Sequence, residues 1–150
     1  MKNTKYKLTD ETKEVSGKTL YRIEALKDFG SITKGERGGW IVAESNLSIS
    51  GDAWVSGNAR VSGNARVSGD AQVYGNAQVY GNARVSGDAQ VSGDAQVYGN
   101  AWVSGDARVS GDAQVYGNAR VSGDAWVSGN ARVSGKLKLK AGLFFGVRWS

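Results

Sequence analysis

From Gly51 to Ser134 the chain repeats one hexad, Gly-[Asp/Asn]-Ala-x-Val-[Ser/Tyr], fourteen times without a gap, which accounts for all 84 residues of that span. A period this strict restricts the fold to a stack of like units, because one hexad cannot bury its apolar face alone and needs a neighbour to do so. Within each hexad Ala and Val alternate with polar or aromatic residues, the period-two pattern of a strand with one buried face. The Gly-Asn or Gly-Asp dipeptide supplies a turn, since Gly lacks a Cβ and Asn and Asp tolerate left-handed backbone angles better than other residues. Each hexad therefore predicts one short strand and one corner. The core it predicts is narrow, built from Ala and Val alone.

Read as Val-[Ser/Tyr]-Gly-[Asp/Asn]-Ala-x, these hexads resemble the motif of left-handed parallel β-helix proteins over roughly residues 39–135. The resemblance implies an all-β fold, a triangular solenoid with three hexads per coil. Its left hand is implied by the resemblance only, since ordinary parallel crossovers are right-handed. At 18 residues per coil, the 84 residues make about 4.7 coils. Upstream, Gly39-Trp40-Ile41-Val42-Ala43-Glu44 and Asn46-Leu47-Ser48-Ile49-Ser50 read as degenerate hexads, so the solenoid is expected to begin near Gly39. The segment from Leu20 to Ile32, with Gly38-Gly39-Trp40-Ile41 and Asn46-Leu47-Ser48, is similar to uncharacterised hexapeptide-repeat proteins of bacteriophages and prophages. That similarity implies a phage origin, with inhibition of a host protein as one role such an origin allows.

Three hexads per coil place residues 18 apart about 4.8 Å from one another along one face. Chemically alike residues do recur at that interval. One corner carries Asp52, Asp70, Asp88, Asp106 and Asp124, another Asn64, Asn82, Asn100 and Asn118, and the third the mixed set Asn58, Asn76, Asp94, Asp112 and Asn130. Tyr80, Tyr98 and Tyr116 form a column beside Gln78, Gln96 and Gln114. A further outward column holds Arg66, Arg84, Trp102 and Arg120, flanked by Ser68, Ser86, Ser104 and Ser122.

Enzymes among left-handed β-helix proteins use His as a general base or as a zinc ligand, and this chain has no His and no Cys. The fourteen hexads also lack the insertions from which such enzymes build substrate sites. The expectation is a non-enzyme without cofactor or metal site. A degenerate, inactive acyltransferase-like protein stands as a second alternative. Asp28-Phe29-Gly30 occurs without the rest of a kinase, and Gly35-Glu36-Arg37-Gly38-Gly39 lacks the Gly-Lys-Ser/Thr ending of a phosphate loop. Asn46-Leu47-Ser48 is a glycosylation sequon without an export signal.

The net charge of +5 divides into +2 over residues 1–50, −1 over 51–134 and +4 over 135–150, so the repeat body is near neutral. Adjacent carboxylates of the Asp column, about 4.8 Å apart, repel by only about 0.9 kcal/mol in water, so that column needs no cation. The Tyr/Gln face (Tyr80, Tyr98, Tyr116, Gln78, Gln96, Gln114) is the first-choice contact for a protein partner or a second copy, because Tyr is enriched at interfaces and loses little entropy there. The resemblance keeps a homotrimer open. The alternative is a nucleic-acid or anionic-ligand binder acting through Arg66, Arg84, Trp102, Arg120 and the basic tail. No stretch is apolar enough for a membrane span or signal segment, which points to the cytoplasm, that of the host if the chain is phage-encoded.

The ends differ from the body. Lys5–Thr9 and Tyr21–Ala25 alternate as strands around a Val15–Lys18 turn, predicting an N-terminal β-hairpin cap over residues 1–38. Residues 39–135 form the expected β-helix and 136–150 a C-terminal capping strand, with Lys136, Lys138 and Lys140 discouraging end-to-end stacking. Leu143, Phe144, Phe145, Val147 and Trp149 supply apolar cover.

Overall fold

The computed structural model of the protein describes residues 2–145, 148 and 149. Val147, expected to add apolar cover, lies outside the described residues, as do the side chains of Phe145 and Trp149. The chain is an all-β parallel solenoid of triangular section, its strands sorted into three sheets of nine, five and six strands.

Each hexad contributes a short strand of two residues, x-Val, extended to three at Trp126–Ser128, and a turn. Successive strands go to successive sheets, so every third one stacks in parallel register: Gln78, Gln96 and Gln114 pair Cα to Cα, as do Val79, Val97 and Val115. The first face holds the strands from Arg60–Val61 through Arg132–Val133. The second runs from Arg66–Val67 to Lys138–Leu139, and the third from Trp54–Val55 to Leu143–Phe145. Coils are joined by main-chain bonds such as Gln78 N–H to Ala95 O (3.0 Å), Tyr80 N–H to Val97 O (3.0 Å) and Asn82 N–H to Gly99 O (2.8 Å). Buried peptide groups thus find partners in the next coil. Every Ala and Val from Ala53 to Val133 is fully buried, and they form one continuous apolar column down the axis.

The N-terminal residues close the top of the first face. Strands β1 (Tyr6–Val15) and β2 (Lys18–Ala25) form an antiparallel hairpin, β2 pairs antiparallel with β3 (Arg37–Ile41), and β3 pairs in parallel with Arg60–Val61. Beneath the hairpin two polar side chains are buried, Lys5 and Asn46. Sequence reading singled out neither for that role. Asn46 Oδ1 accepts the N–H groups of Val42 and Ala43 (3.0 Å each), and its Nδ2 donates to Gly63 O (3.2 Å) and Ala65 O (2.9 Å). The amide therefore splices the irregular chain at Val42–Asn46 onto the first regular coil. Tyr6 hydroxyl lies 2.6 Å from Leu47 O and 2.9 Å from Glu44 O, on the same segment.

The Lys5 amine donates to Ala53 O (2.7 Å) and Ser48 O (3.1 Å) and stands 4.9 Å from the centre of the Phe29 ring. Burial lowers its pKa to about 8, against the attraction of Asp52. The unfolded chain retains this proton to about pH 10.5, so it binds more protons than the fold between pH 8 and that value. Stability of the cap is expected to rise as pH increases from 8 toward 10. Lys13, also lowered by burial, acts in the same direction. Above pH 10 the sign reverses, because burial raises Tyr6, Tyr80 and Tyr98 and the unfolded chain ionises first. Urea unfolding between pH 7 and 10 checks this. The Lys5→Met variant should flatten the rise, and an unchanged slope would remove Lys5 as its source.

At the C-terminal end the chain from Lys136 onward continues the solenoid. Lys138–Leu139 pairs in parallel with Arg120–Val121, and Leu143–Phe145 with Trp126–Ser128. The interval between stacked residues shortens from 18 to 17, as Trp126 pairs with Leu143, and then to 16, as Arg132 pairs with Arg148.

Candidate functional site

The outward positions of the three faces are ladders whose character follows from the residue repeated every third hexad. On the first face, Tyr80 and Tyr98 stack with ring centres 4.9 Å apart and planes 3° from parallel, and Tyr98 and Tyr116 stack at 5.0 Å and 4°. That spacing is the distance between coils, so the backbone alone imposes the stack. The first two rings are tied to the coil below: Tyr80 hydroxyl bonds Gln96 Oε1 (3.3 Å), and Tyr98 hydroxyl bonds Gln114 Oε1 (3.2 Å). Gln78 heads the Gln column and, with Tyr80, Arg60, Lys18 and Leu20, lines a groove of about 380 Å³ under the hairpin tip. All six Tyr and Gln residues are half-buried, so the face presents ring edges and amides in a locked array.

On the second face, Arg66, Arg84, Trp102 and Arg120 stand in one column, register-paired in that order. Lys138 joins them as a fifth member, opposite Arg120. Sequence reading assigned Lys138 to the terminal cap, although its offset of 18 from Arg120 was the signal for its place here. Trp102 is 38% exposed and clasped between two guanidinium groups, with Arg84 5.3 Å and Arg120 4.5 Å from its ring centre. Arg66, Arg84, Arg120 and Lys138 are exposed, and among the described residues ion pairs occur only in the N-terminal cap: Lys7–Glu24, Arg22–Glu11 and Arg37–Glu11.

The third face mixes Trp54, Gln72, Gln90, Arg108 and Trp126, with Arg108 5.8 Å from the Trp126 ring centre and Trp126 Nε1 donating to Ser110 Oγ (3.0 Å). The corners are ladders too. Asn64, Asn82, Asn100 and Asn118 are joined side chain to side chain at 3.2–3.3 Å between the first and second faces. Asp52, Asp70, Asp88, Asp106 and Asp124 line the corner between the second and third. There, loss of hydration and then the charges of Asp106 and Asp70 raise the Asp88 carboxyl above its ordinary range. Among the described residues no group of three or more His, Cys, Asp or Glu side chains is arranged to hold a metal ion, and no helix is long and apolar enough to cross a membrane.

An unbroken parallel solenoid whose chemistry lies in outward ladders defines a structural repeat protein. The chain belongs to the bactofilin family, described as polymer-forming and cytoskeletal, whose pattern matches residues 30–142. The match takes in the loop after β2 from Gly30 onward, strand β3 and every regular coil. It shows the β-helix that the sequence resemblance implied and gives no bacteriophage family. Comparison with curated proteins gives no match.

Proposed function

We propose that this chain is a non-catalytic, cytoplasmic rod that assembles with copies of itself into a polymer. The observation that carries this reading is the uninterrupted register of the third face, where rung follows rung in parallel from Trp54 to Trp126 with no insertion. Each coil is fastened to the next by main-chain bonds and by a filled Ala/Val interior, so the body is stiff and its surface repeats every coil. A stiff body with repeating surfaces offers many equivalent contacts to an identical partner. The family's description as polymer-forming supports the same conclusion.

Light scattering coupled to size exclusion, with electron microscopy of the peak, tests it at low and moderate salt. Assemblies many times the 15.8 kDa chain are expected. A single species of that mass at every salt concentration overturns the reading. A second reading, a rigid module binding a different protein, draws on the Tyr80–Tyr98–Tyr116 stack, whose ring array is already ordered before contact. It requires a salt-insensitive complex that the Tyr98→Ala variant loses while self-assembly persists.

A further inference from the structure

We infer that two copies pair side by side through the second face, the Arg66–Arg84–Trp102–Arg120 column of each lying against the Asp70–Asp88–Asp106–Asp124 corner of the other. This rests on the self-assembly reading and names a contact for it.

The argument begins with position along the strand. On the four coils of the second face from Arg66 to Arg120 the outward residue of the column comes first, a Ser follows two residues later, and the corner Asp follows two after that: Arg66, Ser68, Asp70; Arg84, Ser86, Asp88; Trp102, Ser104, Asp106; Arg120, Ser122, Asp124; on the fifth, Lys138 is followed by Lys140 and Gly142. The Ser column thus lies midway between a cationic and an anionic column of the same pitch. A two-fold axis parallel to the solenoid and passing over the Ser column exchanges the two. It sets Arg66 against Asp70 of the second copy, Arg84 against Asp88 and Arg120 against Asp124, and the same pairs form in the reverse sense. The interface is isologous, with the copies parallel and at the same level, so no sliding is needed to bring charges into register. At the middle level Trp102 meets Asp106, with its indole N–H as the donor.

Other features of this face agree. Its cations have no carboxylate partner within the described chain. The Trp102 ring holds the guanidinium groups of Arg84 and Arg120 in place, which reduces the side-chain entropy lost on pairing. The crowded Asp corner gains from an opposing cation, since loss of hydration and then the charges of Asp106 and Asp70 already raise Asp88. The other faces lack the arrangement. The first has Gln at its central rungs with the Asn82, Asn100 and Asn118 corner in the place of the acids, and the third has one cation, Arg108, among its outward residues from Trp54 to Trp126 and is followed by the mixed Asn/Asp corner. Single exposed ion pairs stabilise little, so the array acts mainly by fixing register and excluding wrong partners, and it weakens with salt.

The two-fold axis brings each Ser of the central column opposite its own counterpart, which gives a direct test because the chain has no Cys. Ser86→Cys should cross-link to itself through a short bismaleimide at low salt, whereas Ser92→Cys, on the third face, should not. Reversing the cations (Arg66→Glu, Arg84→Glu, Arg120→Glu) or the acids (Asp70→Lys, Asp88→Lys, Asp124→Lys) in the Ser86→Cys background should each cut the yield about ten-fold or more, by like-charge opposition. Mixing the two variants should restore it, because every opposed pair is then of opposite sign. That rescue also shows both variants to be folded. Assembly seen by scattering with Ser86→Cys yields unaffected by charge reversal overturns the pairing and leaves the self-assembly reading standing. A wild-type chain that stays monomeric overturns both. If the second face instead captures a fluorescent oligonucleotide without cross-linking to itself, its cations serve a nucleic acid and the pairing is wrong.

Discussion

Gly105→Val is expected to destabilise the solenoid by about 3 kcal/mol or more, combining a left-handed backbone with an unyielding clash. Gly105 has φ +64, and a Cβ at that position would stand 2.8 Å from the main-chain nitrogen of Gly123 in the next coil. Main chain cannot swing aside as a side chain can, so relief requires the two coils to separate. Separation in turn lengthens Asp106 N–H to Gly123 O, now 2.9 Å, and opens the Ala/Val column beneath. Gly17, in the hairpin turn, provides the control, since it has φ +78 and a Cβ there would meet nothing within 4 Å. Gly17→Ala should therefore cost only the backbone term of about 1–2 kcal/mol. Thermal unfolding followed by circular dichroism compares them, and at roughly 2–4 °C per kcal/mol for a chain of this size the midpoints should differ clearly. Equal losses would mean that contact between corners does not limit the residue allowed there.

Asn46→Leu should cost about 3 kcal/mol or more, because one substitution strands the Ala43 N–H and the Gly63 and Ala65 carbonyls at roughly 1–3 kcal/mol apiece if none recovers water, and leaves Val42 N–H only its longer bond to Val61 O (3.3 Å). The side chain is fully buried, accepts from two N–H groups and donates to two carbonyls. Asn46→Asp separates the two halves of this network. It keeps both acceptor contacts but turns an acidic oxygen toward Gly63 O and Ala65 O, so it should be damaging at neutral pH and partly recover in acid, where a protonated carboxyl can donate again. Hydrogen exchange should show the loss concentrated in β1–β3 and the first coils, with the lower coils protected, because each coil depends on its immediate neighbours. Loss spread evenly along the rod would contradict a local splice.

The body of this fold was legible from sequence because its determinants are local and repeated. Gly at the corner, Ala and Val inside and the 18-residue recurrence of Asp, Asn, Tyr and Gln fix strand, turn and stacking together, and the pairing of Gln78, Gln96 and Gln114 follows from them. The cap was less so. Lys5 precedes a strand like any polar residue, and its buried contact with Ala53 O spans 48 positions that no period links. Asn46 stood inside a glycosylation sequon and a degenerate hexad, and neither pattern encodes an amide that bonds in four directions. Lys138 was obscured by the lysine alternation of Lys136–Lys140, which looks the same in a capping strand and in a further coil. Of the surface, the columns were visible in advance. What the three-sheet section adds is their order around the rod, with the Asn corner, the Arg column and the Asp corner following one another on a single face.

The three-sided section also governs how a chain of this kind can change its length. Gaining or losing three consecutive hexads moves everything downstream by one full coil, and Tyr still stands over Tyr and Asp over Asp. Gaining or losing one hexad preserves each strand and turn but carries all later residues to the adjoining side, so that a Tyr ladder begun on one side continues on another. Backbone and core would register almost nothing, while the outer surface would become two rods joined out of phase. Folding therefore counts in units of six here, and recognition counts in units of eighteen.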